Sequence, residues 1–447
     1  MRRVVITGLG AVSPLGLGAA ACWNALLAGE SGTRRLARFD PSAFPSQVAG
    51  EVPPFKTTDY VPKSYRKATK IMSRDIELAV VAADFAVRDA RILTRGITGD
   101  GTASWFKPDP TRMGCNIGSG LISADMDELA GALAHGRSAS DPTTLDLARW
   151  GRSEDPAKTS GMEALTPLWL LKYLPNMLAC HVSIIHDTQG PSNTITCGQA
   201  SAGLALAAAT RTLQRGEADL ALVGGCESKV HPMGLMRWTL LHRLNTSDNE
   251  RPGTACRPYD ESAAGSVIAE GGAVLVIETL EHAKKRGATI YAEIVGLGAS
   301  ANATLDVTET DFSGEAQAAA LRKALRDAGV DPLRIGLVLP PGYGIASWDQ
   351  ADVNALRAVF GERMPAVLAA RAGVGDCGAG AEALDLVAGA LALHHQVIPP
   401  ETNLTRPIGN LPVRRAPAPA ELSYVAVLAS ALGGQNSGVV LRRYAEE

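Results

Sequence analysis

Short β-branched runs alternate with Ala- and Leu-rich stretches along most of this 447-residue chain, and few folds accommodate that alternation. Strands without a polar face must be covered by helices on both sides. Arg3–Thr7, Gly114–Gly118, Asn193–Thr196, Leu220–Val223, Val274–Ile277 and Ala292–Val295 read as strands. Ala19–Leu27, Ile76–Ala90, Ala200–Leu213 and Glu315–Ala328 read as helices. In Ile76–Ala90 the apolar residues Ile76, Ala79, Val80, Ala83 and Ala86 return at helical spacing to one side. The pattern predicts a mostly parallel, layered α/β fold. Hydrophobic residues at 46% against 20% charged supply the core, while only 5% aromatics and 46 glycines favour close-packed helices over a β-sandwich.

Two stretches break the rhythm. Arg95–Lys158, rich in Gly, Asp, Ser and Pro, reads as an irregular insertion around the Gly114–Gly118 strand. Lys284–Thr289 is the expected seam between an N-terminal half, 1–286, and a C-terminal half, 287–447. No tandem repeat is visible. A net charge of −3 argues against a general nucleic-acid binder. Seven dispersed cysteines without a CxxC support neither a disulfide framework nor a zinc site, and point to a reducing cytoplasm. Pro14 and four glycines interrupt the apolar N-terminus, which therefore reads as a strand and not as a leader, and no apolar run reaches membrane-spanning length.

The most informative segment is Gly190–Gly203, where a strand ends near Cys197 and an Ala-rich helix begins almost at once. Such a turn presents a side chain at a helix N-terminus, where free N–H groups stabilise developing negative charge. Enzymes place nucleophiles in this geometry. Gly8-x-Gly10 lacks the third glycine of a dinucleotide loop, since Ser13 stands there. Ser201 falls inside the helix, out of place for a hydrolase nucleophile.

The strings Arg2–Gly10, Gly190-Pro-Ser192, Gly216-Glu-Ala-Asp219, Arg257-Pro-Tyr-Asp260, Glu281–Gly287, Ala292–Gly296, Pro399–Leu404 and Gly433-Gly-Gln-Asn436 together resemble the β-ketoacyl-ACP synthase family. The resemblance implies a thiolase fold, two similar α/β halves stacked as five layers (αβαβα), with a dimer as the functional unit. It also marks departures. The family's nucleophilic cysteine falls on Gln199, and its two active-site histidines on Pro341 and Asp376. Its neighbouring lysine falls on Arg371, and the gating phenylalanine before Gly433-Gly434 is Leu432. Cys197, two residues before Gln199, is expected within the strand, roughly 6–7 Å back from the helix tip. An Arg371–Asp352 pair is a further expectation. His181 matches a structural position, and His394 and His395 end a helix.

Claisen condensation needs a thiolate to carry the acyl chain and donors for the enolate. Gln199 cannot form a thioester, and Asp376 would repel a malonyl carboxylate. No catalytic residues are therefore expected, while Gln199, Arg371, Leu432, Gly433 and Gly434 are candidate substrate-binding residues, with no metal and no cofactor. The resemblance implies a chain-length-factor-like subunit that pairs with an active ketosynthase and shapes an acyl tunnel during elongation on acyl carrier protein. Leu168–Met177 are candidate wall residues, and Lys284-Lys-Arg286 is either a solvated helix end or a carrier-docking patch. The alternatives are a malonyl-ACP decarboxylase using Gln199, a ketosynthase using Cys197, and a homodimeric acyl-binding protein.

Overall fold

The computed structural model describes residues 1–97, 101–152, 159–302 and 313–445. The strands that frame it are β1 (Val4–Ser13), β2 (Met113–Ser119), β3 (Ser192–Ile195), β4 (Leu220–Ser228), β5 (Ile268–Thr279), β6 (Ala292–Ala301), β7 (Ile335–Leu339), β8 (Ala366–Val367), β9 (Tyr424–Ser430) and β10 (Gln435–Arg442). The helices that cover them are α1 (Arg74–Asp89), α2 (Met177–His186), α3 (Ser201–Arg215), α4 (Glu315–Ala328), α5 (Ala346–Phe360) and α6 (Ala381–His395).

Strand order shows the two similar halves that the family resemblance implies, although no tandem repeat is visible in the residues. The first half runs β3-β2-β4-β5-β1 and the second β8-β7-β9-β10-β6, joined where β1 pairs antiparallel with β6. The pairing senses repeat as well. β2 is parallel to β3 and β4, with β5 antiparallel to β4 and β1. Likewise β7 is parallel to β8 and β9, with β10 antiparallel to β9 and β6.

Three cores fill the five expected layers, the central one lying on both sides of the middle helix layer. Strand alternation assigns each side chain: Ala221 and Val223 of β4 join the central core with α3 and α6, whereas Leu220 and Leu222 join the outer core under α1 and α2. In β1 a register shift between Ile6 and Gly8 swaps faces, so Val4, Ile6, Leu9 and Ala11 all reach the central core. Residues of α4 and α5 close the third core against β7 and β9.

Glycines permit this layering. A Cβ on Gly10 would stand 2.0 Å from the Ala82 carbonyl oxygen of α1, and one on Gly298 would stand 2.1 Å from the Ala320 oxygen of α4. The Gly8-x-Gly10 and Gly296-x-Gly298 pairs thus let an outer helix lie directly on the strand that begins each half. We expect Gly10→Ala to cost about 2–3 kcal/mol in urea unfolding. Gly253→Ala, where a Cβ meets nothing within 4 Å, should stay within about 0.5 kcal/mol of the parent.

Several strands outrun their sequence-based limits for the same reason. The expected strand Leu220–Val223 continues to Ser228 because Gly224 and Gly225 stay in the ladder. A Cβ on them would strike the Ala273 and Ala379 carbonyl oxygens at 1.9 and 2.3 Å, so these glycines serve packing and do not break the strand. The insertion holds β2 and then the helices Met126–His135 and Leu147–Gly151, while its residues 98–100 and 153–158 lie outside the described residues. Lys284–Thr289 connects β5 to β6. The basic cluster there is a solvated end only in part: Lys284 and Lys285 are exposed, whereas the Arg286 side chain is only 4% exposed and is paired with the fully buried Glu278. Its Nε donates to Glu278 Oε2 at 2.9 Å and its Nη1 to the Ala90 carbonyl at 2.8 Å. Among the described residues no helix is long and apolar enough to cross a membrane.

Candidate functional site

Strand β3 ends at Ile195, earlier than expected, so Cys197 does not lie in it. The chain turns at Cys197 (φ −131°, ψ 39°), passes through Gly198 at φ +53°, and forms a short 3-10 turn, Gly198–Ala200, before α3. The positive φ of Gly198 explains the early end, since only glycine adopts it without strain. The second half repeats the device. Cys377 precedes Gly378 at φ +55°, and the 3-10 turn Gly378–Gly380 leads into α6. Cys197 and Cys377 thus hold matching places in the two turns, and Cys377 is wholly buried.

The two turns meet across the central layer. Gln199, 3% exposed, donates from Nε2 to Asp376 Oδ2 at 3.1 Å. Lys229, just beyond β4, donates from Nζ to the same oxygen at 2.5 Å. The Gly378 N–H donates to Asp376 Oδ1 at 3.1 Å. Burial alone would raise the Asp376 pKa, but the Lys229 ammonium and then the Arg371 guanidinium outweigh it and hold the carboxyl below its usual range. Lys229 also lies 4.5 Å from the centre of the Trp238 ring. Glu227 accepts from the Ala379 N–H at 2.7 Å. Its burial raises its pKa, which Lys229 only partly offsets. Its carboxyl occupies the space left by Gly120 and Gly378, where a Cβ would come within 2.1 and 1.9 Å.

Above this floor opens a cleft of about 420 Å³, lined among others by Leu121, Gln199, Glu227, Lys229, Trp238 and Leu432. Among its described lining residues there is no cysteine and no histidine. Cys197 is not in the lining, and burial pushes its thiol pKa up. Thiolate formation near neutral pH is thereby disfavoured. The cleft offers the Gln199 amide and the Lys229 ammonium, groups suited to holding negative oxygen, beside the Glu227 carboxyl.

The sequence-derived candidates are only partly brought together. Gln199 and Leu432 line the cleft, with Asp376 directly behind Gln199. Gly433 and Gly434 form the turn between β9 and β10, closed by the Gly434 N–H on the Ala431 carbonyl at 2.9 Å. Arg371 is 3% exposed and set back from the lining, its guanidinium 4.6 Å from the centre of the Tyr343 ring. Among the described residues it makes no ion pair with Asp352, which instead accepts from Tyr259 Oη at 2.9 Å and the Gly342 N–H at 3.3 Å. Pro341 is buried beyond β7 and does not reach the lining. Of Leu168–Met177 only Pro175 lines the cleft, whereas Leu168 and Leu170 are 64% and 53% exposed. His181 is buried with Nδ1 2.9 Å from Tyr65 Oη, and His394 and His395 end α6.

Lys229 is the residue that sequence reasoning missed. Its ammonium pairs with Asp376, so the negative charge expected to repel a malonyl carboxylate is partly offset. The available signal was its spacing from Glu227, two residues earlier, which puts both side chains on one face at the strand end.

The sequence matches the β-ketoacyl synthase N-terminal domain over residues 1–283 and the C-terminal domain over residues 291–405. It is 32% identical over 447 residues to 3-oxoacyl-[acyl-carrier-protein] synthase 2 of Coxiella burnetii, with 99% of each chain covered. The synthase 2 of Rhizobium meliloti is 30% identical over 457 residues, again with 99% of each covered. Among solved structures, the ishigamide ketosynthase/chain length factor matches with a TM-score of 0.81 at 28% identity, covering 99% of this chain and 100% of that one. AntDE:AntF, a type II PKS acyl-carrier protein in complex with its ketosynthase bound to the hexaketide, matches at 0.80 and 26% identity, with 99% and 100% covered.

Proposed function

Because the chain belongs to the β-ketoacyl synthase family, we propose that it is a non-condensing, chain-length-factor-like subunit of a ketosynthase pair. One observation carries this reading: the turn that would present the nucleophile presents Gln199, whose amide is bonded to Asp376, above a cleft without cysteine or histidine among its described lining residues. An amide cannot hold an acyl chain as a thioester. Pro341 and Asp376 fall at the histidine positions, so the donors for an enolate are replaced as well. The likeness to the ishigamide ketosynthase/chain length factor supports the same reading, although the curated relatives carry names of condensing synthases.

In this reading the partner is an active ketosynthase, and the growing chain is delivered by an acyl carrier protein; the similar AntDE:AntF structure is an acyl-carrier protein in complex with its ketosynthase. This chain would contribute a wall of the tunnel in which the acyl chain extends, with Leu432 at its mouth. No cofactor or metal is required for that role. The test is elongation. The chain, a ketosynthase encoded beside it, and both together are incubated with malonyl-ACP and primer, and acyl-ACP products are read by intact mass. Product only from the mixture, unaffected by Cys197→Ala in this chain, is expected. Acetyl-ACP formed by this chain alone and lost in Gln199→Ala would instead make it a decarboxylase.

A further inference from the structure

Two donors from distant parts of the chain, and one from the carboxylate's own turn, converge on one carboxylate at the cleft floor. Gln199 Nε2 lies 3.1 Å from Asp376 Oδ2 and 3.5 Å from Oδ1, Lys229 Nζ lies 2.5 Å from Oδ2, and the Gly378 N–H lies 3.1 Å from Oδ1. Asp376 is 2% exposed, and Gln199, Lys229 and Gly378 themselves line the cleft. An amide, an ammonium and a backbone N–H around two oxygens form a carboxylate receptor. We propose that this is an anion site filled by the protein's own side chain, so that Asp376 acts as a resident carboxylate occluding a site for small carboxylates.

The consequence in the native chain is that the receptor is closed to outside ligands. A carboxylate or thioester oxygen entering the cleft meets donors that are already engaged at short range. Displacing Asp376 would leave a buried carboxylate without its ammonium, a costly exchange. The site is therefore closed by chemistry, although the cleft above it is open. The inference concerns occupancy of the floor and does not depend on which partner the subunit has.

Asp376→Ala removes one CO₂⁻ group and leaves a space that matches formate, reached from the cleft between Gln199 and Lys229. Thermal unfolding of the full chain in sodium formate, against sodium chloride at equal ionic strength, tests this. The parent should show no formate-specific shift. Asp376→Ala should melt lower than the parent in chloride, and formate should raise its melting temperature by several degrees in a saturable manner. Lys229→Met in the Asp376→Ala background removes the cation and should abolish that response. Asp376→Asn, which keeps the space filled, should show none. A formate-specific shift in the parent, or its absence in Asp376→Ala, overturns the proposal. So does an Asp376→Ala chain that stays unfolded even in formate, because the vacated receptor is expected to recover its ligand.

Discussion

Lys229→Met is expected to lower stability by about 3–5 kcal/mol at pH 7, among the largest effects of any single substitution in this chain. The reason is the partner left behind. Asp376 is buried beside Gln199 and loses the ammonium 2.5 Å away, while methionine fills much of the space over Trp238. The direction with pH follows from the carboxyl. In the parent its pKa is held below the usual range, so its ionisation contributes stability above the unfolded-state value of about 3.9 and loses it as pH falls through the folded value. In the variant the ammonium is gone and only the Arg371 guanidinium and the remaining hydrogen bonds oppose burial, so the folded pKa moves up, and the penalty is present at neutral pH and fades on acidification. The gap between the two proteins in urea unfolding should therefore narrow as pH falls toward 4. Lys229→Met/Asp376→Asn should recover much of the loss, because a neutral amide can still accept from Gln199 and Gly378. That coupling would appear in a double-mutant cycle.

Arg286→Met should cost about 3 kcal/mol at pH 7 by the same logic. Glu278 is fully buried, and among the described residues its side chain keeps, apart from Arg286, only the Thr7 hydroxyl and His282, whose Nδ1 lies 2.6 Å away. Burial raises the Glu278 pKa, but hydrogen bonds from His282 and Arg286 reverse this and hold it below the carboxylate range. Its stabilising contribution is accordingly complete above the unfolded-state value and lost as pH falls through the lower folded one. Lys284→Ala and Lys285→Ala remove exposed charges and should change stability by no more than about 0.5 kcal/mol. Urea denaturation of the three variants would separate the structural arginine from its two solvated neighbours.

The contrast shows where the residues were legible and where they were not. Glu315–Ala328 carries its own periodicity and appears with those bounds, and Ala19–Leu27 does the same. Lys284-Lys-Arg286 reads as one charged cluster, because sequence does not reveal that Arg286 alone folds back onto β5. The expected strand stops at Val223, before Gly224 and Gly225, because only tertiary packing shows which atoms a Cβ there would strike. The two similar halves are expected from the family resemblance and not from a visible repeat, because their traces in the residues are confined to glycine spacing, at Gly8-x-Gly10 and Gly296-x-Gly298, and to Cys-Gly at two turns. Strand order makes them plain. Gln199 and Asp376 stood out by resemblance to a family pattern, whereas Lys229 lies outside the motifs that carried it. Only the fold brings the end of β4 against the turn before α6.

The central claim is that this chain cannot itself carry an acyl group. The direct measurement is the intact mass of the purified chain after incubation with acyl-ACP and with malonyl-ACP. The account predicts an unchanged mass for the parent and for Cys197→Ala alike. A mass increase equal to one acyl group, present in the parent and absent in Cys197→Ala, would contradict it and restore a nucleophile to this site.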